Sequence, residues 1–302
     1  MKVRGNPTKE GEQMENSASQ RAKCDLRTTT RWAYGLLIFP MLAAIAYGQS
    51  DRVYPKPQPD KYAPAADPGN VPEAIARVKS GDFFAVDVEM IAEFHAVEAV
   101  PVLEAQFART QDPQPGQIAP LDKEHIASGL VRLGDQDPAY WDFLMKSATA
   151  AVESDVPDPF LYDAQGKASS ANSAELATWA KAHNLSLADA GQEALFRTIA
   201  VSYLAMTGDP RATPLLRQAL LARNFMIANQ AALGLAMIGD KDSIPLIIEA
   251  CKRAPAEGAA EIALSLVYFD DSQAQNAVDK YIPADRAKIY REARAAGKTP
   301  FQ

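Results

Sequence analysis

An all-α, right-handed solenoid of about five stacked helical hairpins, broken once by an inserted loop-and-helix segment, is the fold class this sequence predicts. Three observations predict it. The C-terminal third repeats itself with a period of 31 residues. Each copy turns at a glycine–aspartate pair, or its substitute, between two apolar-patterned segments. The composition is 47% apolar and 23% charged, with alanine running through the second half, and alanine gives up no side-chain entropy on entering a helix.

The chain opens on a polar, basic stretch. Before Trp32 stand seven Lys/Arg against four acids, and residues 32–50 carry no charge. The run WAYGLLIFPMLAAIAYG, Trp32 to Gly48, follows Arg27 and Arg31 and exits through the small residues Ala46 and Gly48. A basic region, an apolar core and a small-residue exit form a secretory signal. Residues 1–48 therefore read either as a signal peptide cleaved near Gln49 or as an uncleaved membrane anchor, with Met14 an alternative start. At 17 residues, with Pro40 inside, the run is short for a span needing roughly 20. Both versions place the body outside the cytoplasm, periplasmic or secreted. Residues 49–71 form a linker: proline recurs at 55, 57, 59, 64, 68 and 72, which blocks helix and favours an extended tether.

The repeat domain spans 72–296, with a short tail at 297–302. FRTIAVSYLAMTGD (196–209), IANQAALGLAMIGD (227–240) and GAAEIALSLVYFDD (258–271) align without a gap. Leu204, Leu235 and Leu266 share one column; Gly208 and Gly239 end their segments, and the third copy has Asp270 and Asp271 instead. A second half follows each time, aligning Pro214 with Pro245, and Leu216 with Ile247 and Val278. The expected unit is one helical hairpin per period. Glycine takes the left-handed conformation that ends the first helix, the aspartate caps the next, and proline fits near that helix's start. Two earlier copies follow the template. HIASGLVRLGDQDPAYWDFL (125–144) places Leu130 under Leu204 and Gly134-Asp135 under Gly208-Asp209; MIAEFHAVEAVPVLEA (90–105) places Pro101 under Pro214 and His95 in the glycine column.

At these residues the chain resembles the HEAT-repeat family, including the HEAT-like repeats of phycobilisome-lyase type, as an exported, bacterial-looking member. The resemblance rests on the Leu-x-x-x-Gly-Asp turn and the proline opening the second helix, over roughly 125–150 and 190–282. It implies a stacked α-solenoid, and says little of activity because such scaffolds serve many tasks. The rival tetratricopeptide pattern expects a period of 34 and a Trp/Leu-Gly/Tyr signature, and neither occurs here.

Between Gly134 and Gly208 the spacing exceeds one period, and the extra material forms an insertion at 151–190. Pro157, Pro159, Gly166 and the Ser169–Ser173 cluster mark a loop, and Ser173 to His183 reads as a short helix with Leu176, Trp179 and Ala180 on one face. Phe160, Leu161 and Tyr162 place three large apolar side chains in a turn-like segment. They are read either as a plug where the stack is interrupted or as a recognition element. Asn184-Leu185-Ser186 matches an N-glycosylation sequon.

The sequence contains no nucleophile elbow and no glycine-rich phosphate loop. His95, His125 and His183 are not paired at helical spacing, and Cys24 and Cys251 show neither a disulfide framework nor metal-ligand spacing. Cys251 falls in the column of Leu220, as a small buried apolar residue would. Asp135, Asp209, Asp240 and Asp271 recur as caps, not as catalytic pairs. No catalytic, cofactor or metal residue is assigned. From Asp51 onward 24 basic residues face 34 acidic ones, which disfavours nucleic acid. The expected function is a scaffold binding another protein or peptide, with Arg217, Gln218, Glu249 and Lys252 on the second helices as contact candidates beside Phe160, Leu161 and Tyr162. A membrane enters only through residues 32–48, if uncleaved. An enzyme or cofactor-handling protein of lyase type and a nucleic-acid-binding HEAT protein are the alternatives.

Overall fold

The computed structural model describes residues 70–111, 122–162, 168–169 and 174–301, with side chains left aside at 161–162 and 168–169. All lie within the unit Pro55–Gln302. The apolar run at 32–48, and with it the export reading, falls outside the described residues.

Among the described residues the chain is helical apart from a two-residue antiparallel ribbon, β1 (Leu161–Tyr162) with β2 (Ala168–Ser169). The helices are α1 (Val71–Ser80), α2 (Ala85–Glu93), α3 (Val100–Arg109), α4 (Asp122–Arg132), α5 (Pro138–Glu153), α6 (Ala174–Ala182) and α7 (Leu187–Met206). They continue as α8 (Thr213–Ala219), α9 (Phe225–Ile238), α10 (Ile244–Arg253), α11 (Ala256–Leu264), α12 (Ser272–Tyr281) and α13 (Ala284–Ala295). Two layers form an α-solenoid. One contains α2, α4, α7, α9 and α11, each touching the next; the other contains α1, α3, α5, α8, α10 and α12. Much of the close pairing crosses the period boundary: α3 seats on α4, α5 on α7, α8 on α9 and α10 on α11, while α4 and α5 also pack closely within one copy. Each second helix thus stacks on the first helix of the following copy, which is how one hairpin's stripe is buried by its neighbour.

Small residues set these approaches. A Cβ on Gly234 of α9 would stand 2.6 Å from the Ala205 Cβ of α7, and one on Gly129 of α4 would meet Val88 of α2 at 2.7 Å. A Cβ on Gly258 would enter the Phe225 ring at 2.7 Å. The leucine column is the centre of the core: Leu130, Leu204, Leu235 and Leu266 are all fully buried, as are Leu103, Leu216, Ile247 and Val278. Burying such a side chain stabilises by roughly 1.5–3 kcal/mol, which is why the column persists while its flanks drift.

The turns follow the template with local corrections. Gly134, Gly208 and Gly239 take φ of +88°, +62° and +79°. His95, in the same column, takes φ +51°, and Ala96 N–H donates to the Ile91 carbonyl as Asp135 does to Leu130 and Asp240 to Leu235. In the third copy the first helix instead tightens into a 3-10 turn, Ser265–Tyr268, and Asp270 does not take the left-handed conformation. The prolines Pro101, Pro214 and Pro245 open α3, α8 and α10 within their first two positions. Capping is less uniform than the recurring aspartates suggest. Asp271 accepts from the Gln273 and Ala274 N–H groups, and Asp209 from that of Arg211. Asp135 does not cap α5. It accepts from Asp137 N–H, and Asp137 is the cap, accepting from Ala139. Asp240 gives its carboxylate to Arg217 and Ser243 instead.

Candidate functional site

Two surfaces carry the residues the sequence singled out. On the second-helix layer, α8 presents Arg217 and Gln218 and α10 presents Glu249 and Lys252. Arg217 is committed to the stack: its guanidinium donates to both oxygens of Asp240 at 2.8 and 3.0 Å and to the Ser243 hydroxyl at 2.9 Å. That fork joins one copy to the turn of the next. Gln218 is exposed, and Glu249 and Lys252 are exposed and paired with each other at 2.9 Å. The hydrogen bond from Lys252, with its charge, lowers the Glu249 pKa and raises that of the lysine. An exposed pair of this kind contributes little to stability, so it is available to a partner.

The second surface is where the period breaks. α7 runs from Leu187, about two turns before the repeat begins at Phe196, and it is this extension that meets the insertion. Val156, Pro157 and Pro159 are buried, and so are Leu176 and Ala180 on α6. Trp179 stacks on His183 with ring centroids 4.1 Å apart and lends its indole N–H to the Ser154 carbonyl at 3.4 Å. Arg223, in the α8–α9 connection, ties the insertion to the repeat: it bonds Asp155 at 3.3 Å and Glu175 of α6 at 2.9 Å. The side chains that fill the break are thus Val156 and Leu176. Phe160 is only half-buried. The ribbon places Leu161 and Tyr162 beside it, and their side chains lie outside the described residues.

Between the insertion and α7 lies an apolar cleft of about 300 Å³. Its α7 wall is Leu187, Ala188, Gly191 and Leu195; Pro159 and Phe160 come from the loop, Leu176 from α6 and Met226 from α9. Leu195 remains 44% exposed, among the large apolar side chains most open to solvent. The sequence marks Phe160 as a candidate and Leu195 only as a residue that a plug would pack against; Leu187 and Gly191 carry no mark of their own. The three recur every four residues, a stripe that begins before the aligned repeat and so has no counterpart in the core column.

The titratable side chains are otherwise structural. Cys251 is buried, and burial pushes its thiol up to about 12, which leaves no thiolate at neutral pH. His125 is buried with its ring 4.1 Å from that of Tyr203. Glu124 is buried too; one oxygen accepts from the Ser147 hydroxyl at 2.8 Å, and the other has no partner. Burial raises its pKa, outweighing the Ser147 bond. Asp87 is fully buried between α1 and α2; burial would raise its pKa, but bonds from the Arg77 guanidinium and the Phe84 N–H hold it below the ordinary range. Among the described residues no group of three or more His, Cys, Asp or Glu is arranged to hold a metal, and no helix is long and apolar enough to cross a membrane.

Residues 182–267 match the family described as HEAT repeats, a stretch running from the end of α6 through α11. No curated protein and no solved structure matches the chain. The match covers the end of the insertion and the helices α7 to α11, and it supports the HEAT-repeat assignment there.

Proposed function

We propose that this chain is a non-catalytic scaffold that holds another protein or peptide outside the cytoplasm. The observation that carries the reading is the HEAT-repeat stretch at 182–267, since repeats of this kind commonly bind proteins, together with exposed second-helix residues that the stack does not use. Gln218, Glu249 and Lys252 are the contact residues on that surface, and Arg217 holds consecutive copies in register behind them. The leader at 1–48 supports the location: it directs export and leaves the body free or anchored by residues 32–48. An acidic body supports a partner other than nucleic acid.

A photo-crosslinking residue placed in turn at Gln218, Lys252 and Lys288 tests the reading in the intact cell. The same adduct at the first two positions, absent at the third on α13, is the expected result; equal labelling at all three would defeat it. Sequencing the mature N-terminus tests export, with a start near Gln49 or retention in the membrane expected. An absorbance spectrum of the purified chain separates this reading from the lyase-type alternative, which would carry coloured or cofactor-bound material.

A further inference from the structure

We infer that the cleft between the insertion and α7 takes a bulky apolar side chain of a partner peptide, flanked in that peptide by basic residues. This rests on the protein-binding reading and adds to it the place and chemistry of one contact. The cleft's volume, about 300 Å³, suits one large aromatic or aliphatic side chain, and its lining is almost wholly apolar. Its walls come from different parts of the chain; the buried Val156 and Leu176 hold the insertion on the core and the exposed Arg223 bridge links it to the α8–α9 connection, so the space is present before anything binds. Gly191 adds to it: a Cβ there would meet nothing within 4 Å, whereas glycines elsewhere in these helices sit against neighbours. Leu195 is exposed at the cleft, an arrangement that leaves apolar surface in water until a partner covers it.

Charge selects the flanks. Among the described residues within four positions of the lining, acids outnumber bases: Asp155, Asp158, Glu175, Asp189 and Glu193 against Arg197 and Arg223. Arg223 already faces Asp155 and Glu175, and Arg197 is paired with Glu193. The surroundings are therefore net acidic, in keeping with a body that carries 24 basic against 34 acidic residues beyond Asp51. A basic peptide is drawn in, and an acidic one is repelled.

The test uses the full-length chain and three labelled peptides followed by fluorescence anisotropy. The first has one tryptophan between two runs of three lysines, the second replaces the tryptophan with alanine, and the third replaces the lysines with glutamates. The first should bind, with the second and third weaker by roughly tenfold or more, as expected for loss of a buried aromatic anchor or of charge complementarity. Two protein variants approach the cleft differently: Leu195→Asp places a charge in it, and Gly191→Leu fills it. Both should lose the first peptide by roughly tenfold without melting below the parent chain, and salt should weaken the parent's binding. Equal binding of the tryptophan and alanine peptides, no binding of any, or binding unchanged in both variants would overturn the inference. So would concentration-dependent self-association abolished by Leu195→Asp, which would give the cleft to a second copy. Crosslinking at Gln218 and Lys252 reads the scaffold role independently, so either proposal can fail while the other stands.

Discussion

The regular stack at 196–282 and the break at 154–195 solve the same packing problem with different success. In the stack, glycine and alanine let neighbouring helices close to contact: Gly234 has no room for a methyl group beside Ala205 and Leu216. In the break, a short helix and a loop are inserted between α5 and α7, and Gly191 on α7 faces open space. Leu176 and Val156 reach the core, but Phe160 and Leu195 are left around a cleft. The comparison teaches that repetition provides stability, and its interruption provides a surface that can still be used.

Substitutions that break the comparison should differ by region. The largest effect is expected at Leu176→Ala, which removes the side chain joining the insertion to the core. It should destabilise by about 2–5 kcal/mol in denaturant unfolding. Gly239→Val should follow, by about 1–3 kcal/mol, because a β-branched residue is forced to φ +79°, while Lys241→Ala should change stability by less than about 0.5 kcal/mol. Equal melting temperatures for these two would contradict the turn assignment. A matched pair sharpens the contrast further. Gly234→Ala should destabilise by about 1–3 kcal/mol through overpacking, whereas Gly191→Ala, in a helix and facing open space, should stabilise by roughly 0.5–1 kcal/mol. The same sign for both would remove the distinction between the regions.

The smallest expected effect is a pH dependence at Glu124. Its folded pKa lies above the unfolded value of about 4.3, so the folded state holds the proton more tightly. Stability from this group is fully present below the unfolded value and is lost as pH rises through the folded one. Melting curves of Glu124→Gln against the parent should diverge in that window, the variant lacking this fall with rising pH. Asp87 works in the opposite sense: its lowered pKa contributes stability that is lost as pH falls below the ordinary carboxylate range.

The repeat was legible because it is written several times. Leu204, Leu235 and Leu266 name each other, and the same template found Leu130 and placed His95 in a left-handed turn that few non-glycine residues occupy. Caps were less legible, since aspartate can serve a backbone N–H or a neighbouring guanidinium equally well. Whether Asp240 meets Ser243 and Arg217 depends on which helix stacks beside it. The second-helix candidates were separated by that same geometry, with Arg217 drawn into the stack and Gln218, Glu249 and Lys252 left on its surface. The cleft was hidden for a related reason. It occurs once, so no second copy marks Leu187, Gly191 and Leu195, and its walls come from four separate stretches of chain. A space between elements has no period of its own.

Phe160→Ala, read for stability and for partner capture on the same preparation, tests the central claim most directly. Phe160 is half-buried along the cleft, so the account predicts a small loss of stability, below about 1.5 kcal/mol, with capture of the tryptophan–lysine peptide reduced roughly tenfold. A loss of several kcal/mol with capture intact would make Phe160 a plug of the interrupted core, and would contradict the assignment of the break to binding.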